Sequence, residues 1–137
     1  MKIYFAYGSN MNEARMKTRC PSAICLGKAT LHGYRLVERL YADIQRMDGA
    51  SVEGMVWAID DTDLARLDAF EGVAKGIYAR RTYTVEHHGQ RKRVTAYEMT
   101  DATRKTRDGI PYPEWYRQLC ARGAMEHRIR NEFGIGA

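Results

Sequence analysis

The sequence predicts an α+β fold in which a small, mainly antiparallel β-barrel is flanked by short helices. About six segments carry the alternating or β-branched patterns that are typical of strands. The helical segments between them are short, and the order of elements lacks the regular strand–helix alternation that builds a parallel sheet. With 137 residues and 45% hydrophobic content, the chain can bury one core, so we expect a single domain over residues 1–137.

The composition is typical of a water-soluble globular protein, since 28% of the residues are charged and the mean hydropathy is −0.55. No apolar run is long enough to cross a bilayer, and the first residues enter a strand without the pattern of a secretion signal. The three cysteines form no C-x-x-C pair, which argues against a disulfide framework or a zinc site. We therefore expect a cytoplasmic protein with no membrane partner.

The first predicted strand ends in a glycine turn, which is the most informative local feature of the chain. Residues 3–7 are rich in aromatic and β-branched types, and Gly8 then lets a ligand approach the main chain closely. Asn10 and Glu13 have the spacing of a helix N-cap and its capping-box partner. Such a turn leaves main-chain N–H groups free to hold a carboxylate or a developing oxyanion. The alternative is a tight turn with an ordinary helix cap.

The first half of the chain continues with one helix and three strands, predicted at residues 11–19, 24–39, 40–46 and 52–59. Pro21 disfavours helical geometry at the residue before it and therefore ends the helix. Asp48-Gly49 is a turn signal between two of the strands. The last of these strands is apolar on both faces, which indicates a buried, central position in the sheet.

The second half is predicted to contain a helix at 62–70, strands at 78–88 and 90–100, a polar loop at 104–113, and a helix from 114 that fades near Gly134. Acidic residues just before the first of these helices supply its cap. The two strands flank Gly89 and are therefore expected to form a hairpin.

Glu71 is the residue whose surroundings suggest proton transfer. Leu64 and Leu67 share a helix face with position 71, so a helix that persists this far points Glu71 inward. A carboxyl group in apolar surroundings has a raised pKa, and a pKa near neutrality suits a general acid or base. Gly72 and Gly76 leave room for a ligand beside it. The alternative is that the break at Gly72 rotates Glu71 into water at a fraying helix end.

The sequence contains Y-F-A-Y-G-S-N-M at 4–11, V-E-G-M-V-W at 52–57 and L-D-A-F-E-G-V-A-K-G-I-Y at 67–78. In this order and spacing the segments resemble the γ-glutamylcyclotransferase family, including its AIG2-like members. The similarity resumes at Tyr97-Glu98-Met99 and at Tyr116, so it covers most of the chain. The Y-G-S-N turn alone is modest evidence, whereas its combination with the third segment is specific.

The resemblance implies an enzyme built on a β-barrel, with a pocket between the first and third of these segments. It implies that Glu71 is the catalytic acid/base. It also implies that the turn holds a γ-glutamyl group, chiefly through main-chain N–H groups, and that two tyrosines line the pocket. These substrate-binding residues are Tyr7, Gly8, Ser9, Asn10, Tyr78 and Tyr116. No metal and no organic cofactor are implied.

The implied reaction converts a γ-glutamyl amide into 5-oxoproline and a free amine. Glu71 would take a proton from the α-amino group of the substrate and return one to the leaving amine. Because both reacting groups belong to one molecule, orientation alone supplies a large gain in rate. The expected partner is a small γ-glutamyl compound. The identity of the leaving amine stays open, because residues 104–112 match the family poorly. Whether the protein forms a homodimer also stays open.

Two other functions stay open from the residues alone. The same pocket could capture a γ-glutamyl or other carboxylate-bearing ligand without turnover. The net charge of +5 could favour nucleic acid through Arg80-Arg81 and residues 91–93. No stripe of alternating aromatic and basic residues accompanies them, so we expect no nucleic-acid partner.

Overall fold

The computed structural model describes residues 1–133, which form a closed barrel of five strands with four α-helices. The strands are Lys2–Ala6 (β1), Ile24–Arg39 (β2), Tyr41–Ile59 (β3), Tyr78–His87 (β4) and Gln90–Met99 (β5). Their order around the barrel is β1-β3-β2-β4-β5, and the neighbours are antiparallel except for β1 with β5. The predicted α+β class with a mainly antiparallel barrel is confirmed.

The extent of pairing between neighbouring strands differs around the barrel. β2 and β3 form a long hairpin, and β4 and β5 pair along their whole length. By contrast, β1 meets β5 at one paired position, Tyr4 with Thr95, and β2 meets β4 at one, Thr30 with Glu86. These two short seams close the barrel.

Large apolar residues of β1 and β3 fill the core. Phe5, Val56 and Trp57 are completely buried, which agrees with the predicted central strand before residue 60. Phe5 lies opposite Val56 in the antiparallel register, so the first strand is anchored at the centre of the barrel. Full burial of side chains of this size stabilises the fold by about 1.5–3 kcal/mol each.

The predicted strands 40–46 and 52–59 are parts of one strand, β3, so the barrel has five strands and not six. The turn signal at Gly49 does not reverse the chain, although Gly49 adopts a φ of 84°. The ladder between β2 and β3 instead shifts its register between His32 and Tyr34. A sequence that favours a turn has therefore produced a bulge within a long hairpin.

The helices α1 (Glu13–Arg19) and α2 (Asp61–Phe70) lie where they were predicted, but the prediction that Asn10 caps α1 is wrong. The cap is Asn12, whose side-chain oxygen accepts a hydrogen bond of 3.0 Å from the N–H three residues ahead. A 3₁₀ turn at Ser9–Met11 precedes α1 and delays its start. The side chain of Asn10 is thereby free for other contacts.

The segment predicted to be a polar loop at 104–113 includes part of a helix, α3 (Asp101–Arg107). Thr100 caps this helix by accepting a hydrogen bond from the N–H of Thr103. The buried residue of α3 is the polar Thr103, whose hydroxyl donates to the carbonyl of Ile77 at 2.8 Å. Because α3 lacks an apolar stripe, its sequence carries little of the periodicity by which amphipathic helices are recognised.

The last helix, α4 (Glu114–Glu126), begins where it was predicted and ends earlier. Gly134, near which it was expected to fade, lies outside the described residues. α4 packs closely on the turn that follows β1. A Cβ atom on Gly123 would lie 2.5 Å from the main-chain nitrogen of Asn12, so only glycine permits this approach. The last helix therefore supports the first turn.

A buried ion-pair network fastens α3 to the barrel. Asp43 of β3 is fully buried. Its carboxylate accepts hydrogen bonds from Arg39 at 2.7 Å, from Arg104 at 2.9 Å and from the N–H of Met99 at 2.9 Å. Loss of this carboxylate would leave the buried guanidinium of Arg39 without its closest negative partner, which is more costly than loss of a surface charge.

Within residues 1–133, no helix has both the length and the apolar character required to span a membrane. The cytoplasmic location and the single-domain organisation stay predictions.

We expect Asp43→Ala to lower the free energy of unfolding by about 3–5 kcal/mol, because it leaves the buried guanidinium of Arg39 without its closest negative partner. Urea denaturation followed by circular dichroism measures this loss. The matched control is Asp108→Ala. Asp108 also contacts Arg39, at 3.0 Å, but its side chain is 70% exposed. Asp108→Ala should lower the free energy of unfolding by less than about 1 kcal/mol. Equal losses in the two variants would contradict the role assigned to Asp43.

Candidate active site

A cavity of about 260 Å³ lies between the first turn, the end of α2, the start of β4 and the start of α4. The structure brings all seven of the predicted site residues to its walls: Tyr7, Gly8, Ser9, Asn10, Glu71, Tyr78 and Tyr116. These residues come from four separate parts of the chain. The barrel therefore assembles in one place the two motifs that the sequence keeps about 60 residues apart.

The residues of the first turn line this cavity and carry unpaired main-chain donors within residues 1–133. Gly8 follows the end of β1, and its carbonyl accepts the N–H of Met11 at 3.2 Å as the 3₁₀ turn closes. The N–H groups of Gly8, Ser9 and Asn10 have no acceptor within residues 1–133. Successive free N–H groups of this kind bind carboxylates and oxyanions.

Gly8 is required by close packing. A Cβ atom at this position would lie 2.7 Å from the hydroxyl of Tyr116 and 3.3 Å from the Cβ of Ala42. The absence of a side chain lets α4 and β3 approach the turn.

Asn10 connects two walls of the cavity. It is only 3% exposed. Its side-chain amide donates to the hydroxyl of Tyr4 at 3.0 Å, and its side-chain oxygen accepts from Arg19 at 3.1 Å. The residue predicted to cap a helix thus joins β1 to α1 across the site.

The predicted tyrosines are held by the main chain. The Tyr78 hydroxyl donates to the carbonyl of Ala42 at 2.7 Å, and the N–H of Ala42 donates to the Tyr116 hydroxyl at 3.0 Å. The Tyr7 hydroxyl donates to the carbonyl of Tyr97. Burial raises the pKa of Tyr7, Tyr78 and Tyr116 well above the usual value. All three therefore present neutral hydroxyl groups to a ligand.

Glu71 lies at the C-terminal end of α2. Its N–H still bonds to the carbonyl of Leu67 at 2.9 Å, and the chain turns away only at Gly72, which has a φ of 68°. The half-buried side chain lines the cavity, as the inward-facing interpretation predicted. Burial raises the pKa of Glu71 to about 7, although the positive charges of Arg19 and Arg15 oppose the rise. No donor within residues 1–133 hydrogen-bonds to its carboxylate.

The structure adds cavity residues that were not predicted from the sequence. The most important are Tyr4, Arg15 and Arg19, and the aromatic residues Phe70 and Trp115 lie at the same cavity. The two arginines stand four positions apart on the helix that follows the turn. That spacing places them on one helix face and is the signal that could have identified them.

One group of side chains has the proximity needed to bind a metal ion. Ligand atoms of Glu13, Cys25 and His127 all lie within 4.8 Å of one another. His127 is half-buried, and its Nε2 atom is 3.6 Å from the Glu13 carboxylate. None of the three lines the cavity, so this cluster is separate from the site.

Comparisons with known proteins show which family the chain is similar to. Residues 4–117 match the family described as gamma-glutamyl cyclotransferase, AIG2-like. The curated gamma-glutamylcyclotransferase of Bos taurus is 30% identical over 144 residues, which cover 96% of this chain and 74% of that protein. A solved structure of an uncharacterized protein from Homo sapiens has a TM-score of 0.84 at 29% identity, covering 92% of this chain and 79% of that one. A solved gamma-glutamyl cyclotransferase has a TM-score of 0.79 at 27% identity, with coverages of 92% and 79%.

The closed barrel is thus the fold of an enzyme class, the gamma-glutamylcyclotransferases. The chain belongs to the gamma-glutamyl cyclotransferase, AIG2-like family. The family predicted from the three sequence segments is confirmed.

We expect Gly8→Ala to destabilise the protein by about 1–3 kcal/mol, because the added methyl group overlaps the Tyr116 hydroxyl. Tyr116→Phe alone should cost about 1 kcal/mol through the lost hydrogen bond to Ala42. The double variant lacks the Tyr116 hydroxyl that the added methyl group would overlap. Its loss of unfolding free energy should therefore be smaller, by about 1 kcal/mol, than the sum of the losses in the two single variants. Urea denaturation of the four proteins measures this coupling. Strictly additive losses would contradict the close approach.

We expect Glu71→Gln to stabilise the protein in a pH-dependent way. The folded state holds the Glu71 proton more tightly than the unfolded chain, whose pKa is about 4.5. Above about pH 7 the folded protein carries an ionised carboxylate in unfavourable surroundings, so the glutamine variant should be more stable by about 1–3 kcal/mol at pH 8.

Below about pH 4.5 the Glu71 carboxyl group is protonated in both the folded and the unfolded state, so the stability difference between Glu71→Gln and the parent disappears. At pH 5 this stability difference should therefore be several-fold smaller than at pH 8. Urea denaturation at both pH values measures it. Glu86→Gln is the control, since that side chain is 54% exposed. An equal gain for Glu71→Gln at the two pH values would contradict a raised pKa.

Proposed function

We propose that the protein is a γ-glutamylcyclotransferase that converts a small γ-glutamyl amide into 5-oxoproline and a free amine, with Glu71 as the general acid/base. The observation that carries this proposal is the pairing, in one cavity, of a carboxyl group with a pKa of about 7 and a turn with free N–H groups. Family membership supports the proposed reaction, and the geometry supports the roles that we propose for the residues.

The reaction begins with removal of a proton from the α-amino group of the substrate. This group is largely protonated at neutral pH, because α-amino groups titrate near 8. The Glu71 carboxylate takes the proton, and its pKa near the working pH lets it both accept and release one. The freed amine then attacks the γ-carbonyl carbon of the same molecule.

A bond forms between the α-nitrogen and the γ-carbon, and the bond from that carbon to the leaving nitrogen breaks. Protonated Glu71 returns the first proton to the leaving nitrogen. The ring nitrogen then gives up its second proton, which Glu71 passes to the released amine. The ammonium of the substrate is thus exchanged for the ammonium of the leaving group, and no oxidant, reductant or net proton is required. The five-membered ring closes within one molecule, for which effective molarities on the order of 10⁵–10⁸ M are known. The main contribution of the cavity is therefore to hold the substrate in its ring-closing shape.

The first turn is suited to the negative charge in this reaction. Free N–H groups of Gly8, Ser9 and Asn10 would hold the γ-glutamyl group through its α-carboxylate or through the oxyanion that develops on the γ-carbonyl. The hydroxyl groups of Tyr7 and Tyr78 donate hydrogen bonds to main-chain carbonyls, so their oxygen atoms can accept hydrogen bonds from the α-ammonium group. Tyr116 forms the wall beside Gly8.

We expect Glu71→Gln to lower kcat/KM for release of 5-oxoproline by about 10²–10⁴-fold, the usual contribution of a general acid/base. Chromatographic detection of 5-oxoproline from a panel of γ-glutamyl amides measures the loss. Glu86→Gln, which removes an exposed carboxylate from β4, should retain parental activity. In the parent, kcat/KM should rise as the pH rises through about 7, because the basic form of Glu71 is required.

The alternative function, capture of a γ-glutamyl ligand without turnover, gives a different result. In that case calorimetry would detect binding to the parent and to Glu71→Gln, and no 5-oxoproline would form from any compound. A Glu71→Gln variant with parental turnover would contradict the mechanism.

A further inference from the structure

Side chains from three separate parts of the chain meet away from the cavity. They are Glu13 at the start of α1, Cys25 at the start of β2 and His127 directly after α4. A carboxylate oxygen, a thiol sulfur and an imidazole nitrogen of these residues all lie within 4.8 Å of one another. The three residues are far apart in sequence, so no local spacing pattern reveals the group.

The imidazole of His127 lacks a partner that its position calls for. Its Nε2 atom is buried from solvent and has no hydrogen-bond partner within residues 1–133. The Glu13 carboxylate is 3.6 Å from this atom, which is too far for a hydrogen bond. Zn–N and Zn–O bonds are about 2.0–2.2 Å long, so two such ligands of one tetrahedral zinc ion lie about 3.4 Å apart. The observed spacing therefore suits a shared metal ion better than a direct contact.

The main chain holds His127 in place at the end of α4. The N–H of Arg128 donates to the carbonyl of Met125 at 3.3 Å. The N–H of Ile129 donates to the carbonyl of Ala124 at 2.8 Å, and Ile129 is completely buried. These two bonds form the Schellman arrangement, which ends a helix in a defined geometry. The position of the imidazole is thus set before any ligand binds.

The other two side chains also lie on well-supported backbone. The N–H of Glu13 donates to the side chain of Glu126 at 3.3 Å, which joins the start of α1 to the end of α4. Cys25 is paired with Trp57 of β3, and Trp57 is completely buried. Cys25 itself is exposed, so a metal ion can reach its sulfur from solvent.

The three donor atoms select the kind of ion. Thiolate sulfur and imidazole nitrogen favour zinc, whereas magnesium and calcium prefer oxygen ligands. A thiolate and a carboxylate together carry two negative charges and a neutral imidazole carries none, so the group balances a divalent cation. Three protein ligands leave one position of a tetrahedral zinc ion for water.

We propose that Glu13, Cys25 and His127 form a zinc site, with water as the fourth ligand, that ties α1, β2 and α4 together. As zinc binds, the Cys25 thiol gives its proton to solvent, and no electron is transferred. The site stabilises the fold and takes no part in chemistry in the cavity, because none of its ligands lines that cavity. The competing explanation is a weak ion pair between His127 and Glu13 in which Cys25 has no part.

The test titrates the reduced protein, stripped of metal with a chelator, with zinc and with cobalt salts. We expect one zinc ion per chain with a dissociation constant on the order of 1 μM or lower, weaker than four-ligand structural sites. Cobalt in the same site should show the charge-transfer absorption of a bound thiolate. Cys25→Ser removes a ligand from an exposed position and should weaken zinc binding by at least about 100-fold. Magnesium at millimolar concentration should not displace the zinc.

His32→Gln is the matched control. The Nε2 atom of His32 lies 3.0 Å from the Glu86 carboxylate, so this pair resembles His127 and Glu13. It has no third ligand of the same proximity in the described part of the chain. His32→Gln should keep the parental affinity for zinc. A loss as large as that of Cys25→Ser would show that zinc binds to surface histidines and would overturn the inference.

Thermal unfolding gives a second measurement. With free zinc at about a hundredfold excess over the dissociation constant, the Tm of the parent should rise by about 5–10 °C and that of Cys25→Ser by less than about 2 °C. Absence of zinc binding, equal affinity in the parent and Cys25→Ser, or cobalt binding without thiolate absorption would overturn the inference. These measurements do not involve 5-oxoproline, so a failure of the proposed cyclotransferase reaction would not affect them.

Discussion

The site depends on the two hydrogen bonds that the main chain of Ala42 forms with tyrosine side chains. The carbonyl of Ala42 fixes Tyr78, and its N–H fixes Tyr116, so one residue of β3 positions two walls of the cavity. The next residue, Asp43, is locked in the barrel by buried hydrogen bonds to two arginines. The cavity is therefore held by the strands of the barrel, which can position side chains more accurately than loops can.

Much of the site could be predicted because its residues belong to local patterns. The turn at Gly8 is identified by a strand that stops at a glycine, and Glu71 by its place on the apolar stripe of a helix. Both patterns are set by neighbours within a few positions. The orientation of Glu71 depended on one further condition, that the helical hydrogen bonding of α2 extend to residue 71. The hydrogen bond from the N–H of Glu71 to the carbonyl of Leu67 meets that condition.

Other features depend on contacts between distant residues and were not predictable in this way. Asn10 has the properties of a helix cap, but it bonds to Tyr4 and Arg19, and Asn12 takes the capping role. Helix α3 is stabilised by hydrogen bonds and ion pairs to the barrel and not by an apolar face. Its partners lie far away in sequence, so neither periodicity nor propensity could reveal it.

The short seam between β1 and β5 links occupancy of the cavity to the integrity of the barrel. The single paired position there is Tyr4 with Thr95, and Tyr4 is also a wall of the cavity. Tyr97 of β5 also lines the cavity, so a molecule held between Tyr4 and Tyr97 would bridge β1 to β5 and oppose separation of the two strands. Ligand binding and local opening are then thermodynamically linked, so the filled protein would open at this edge less often than the empty one.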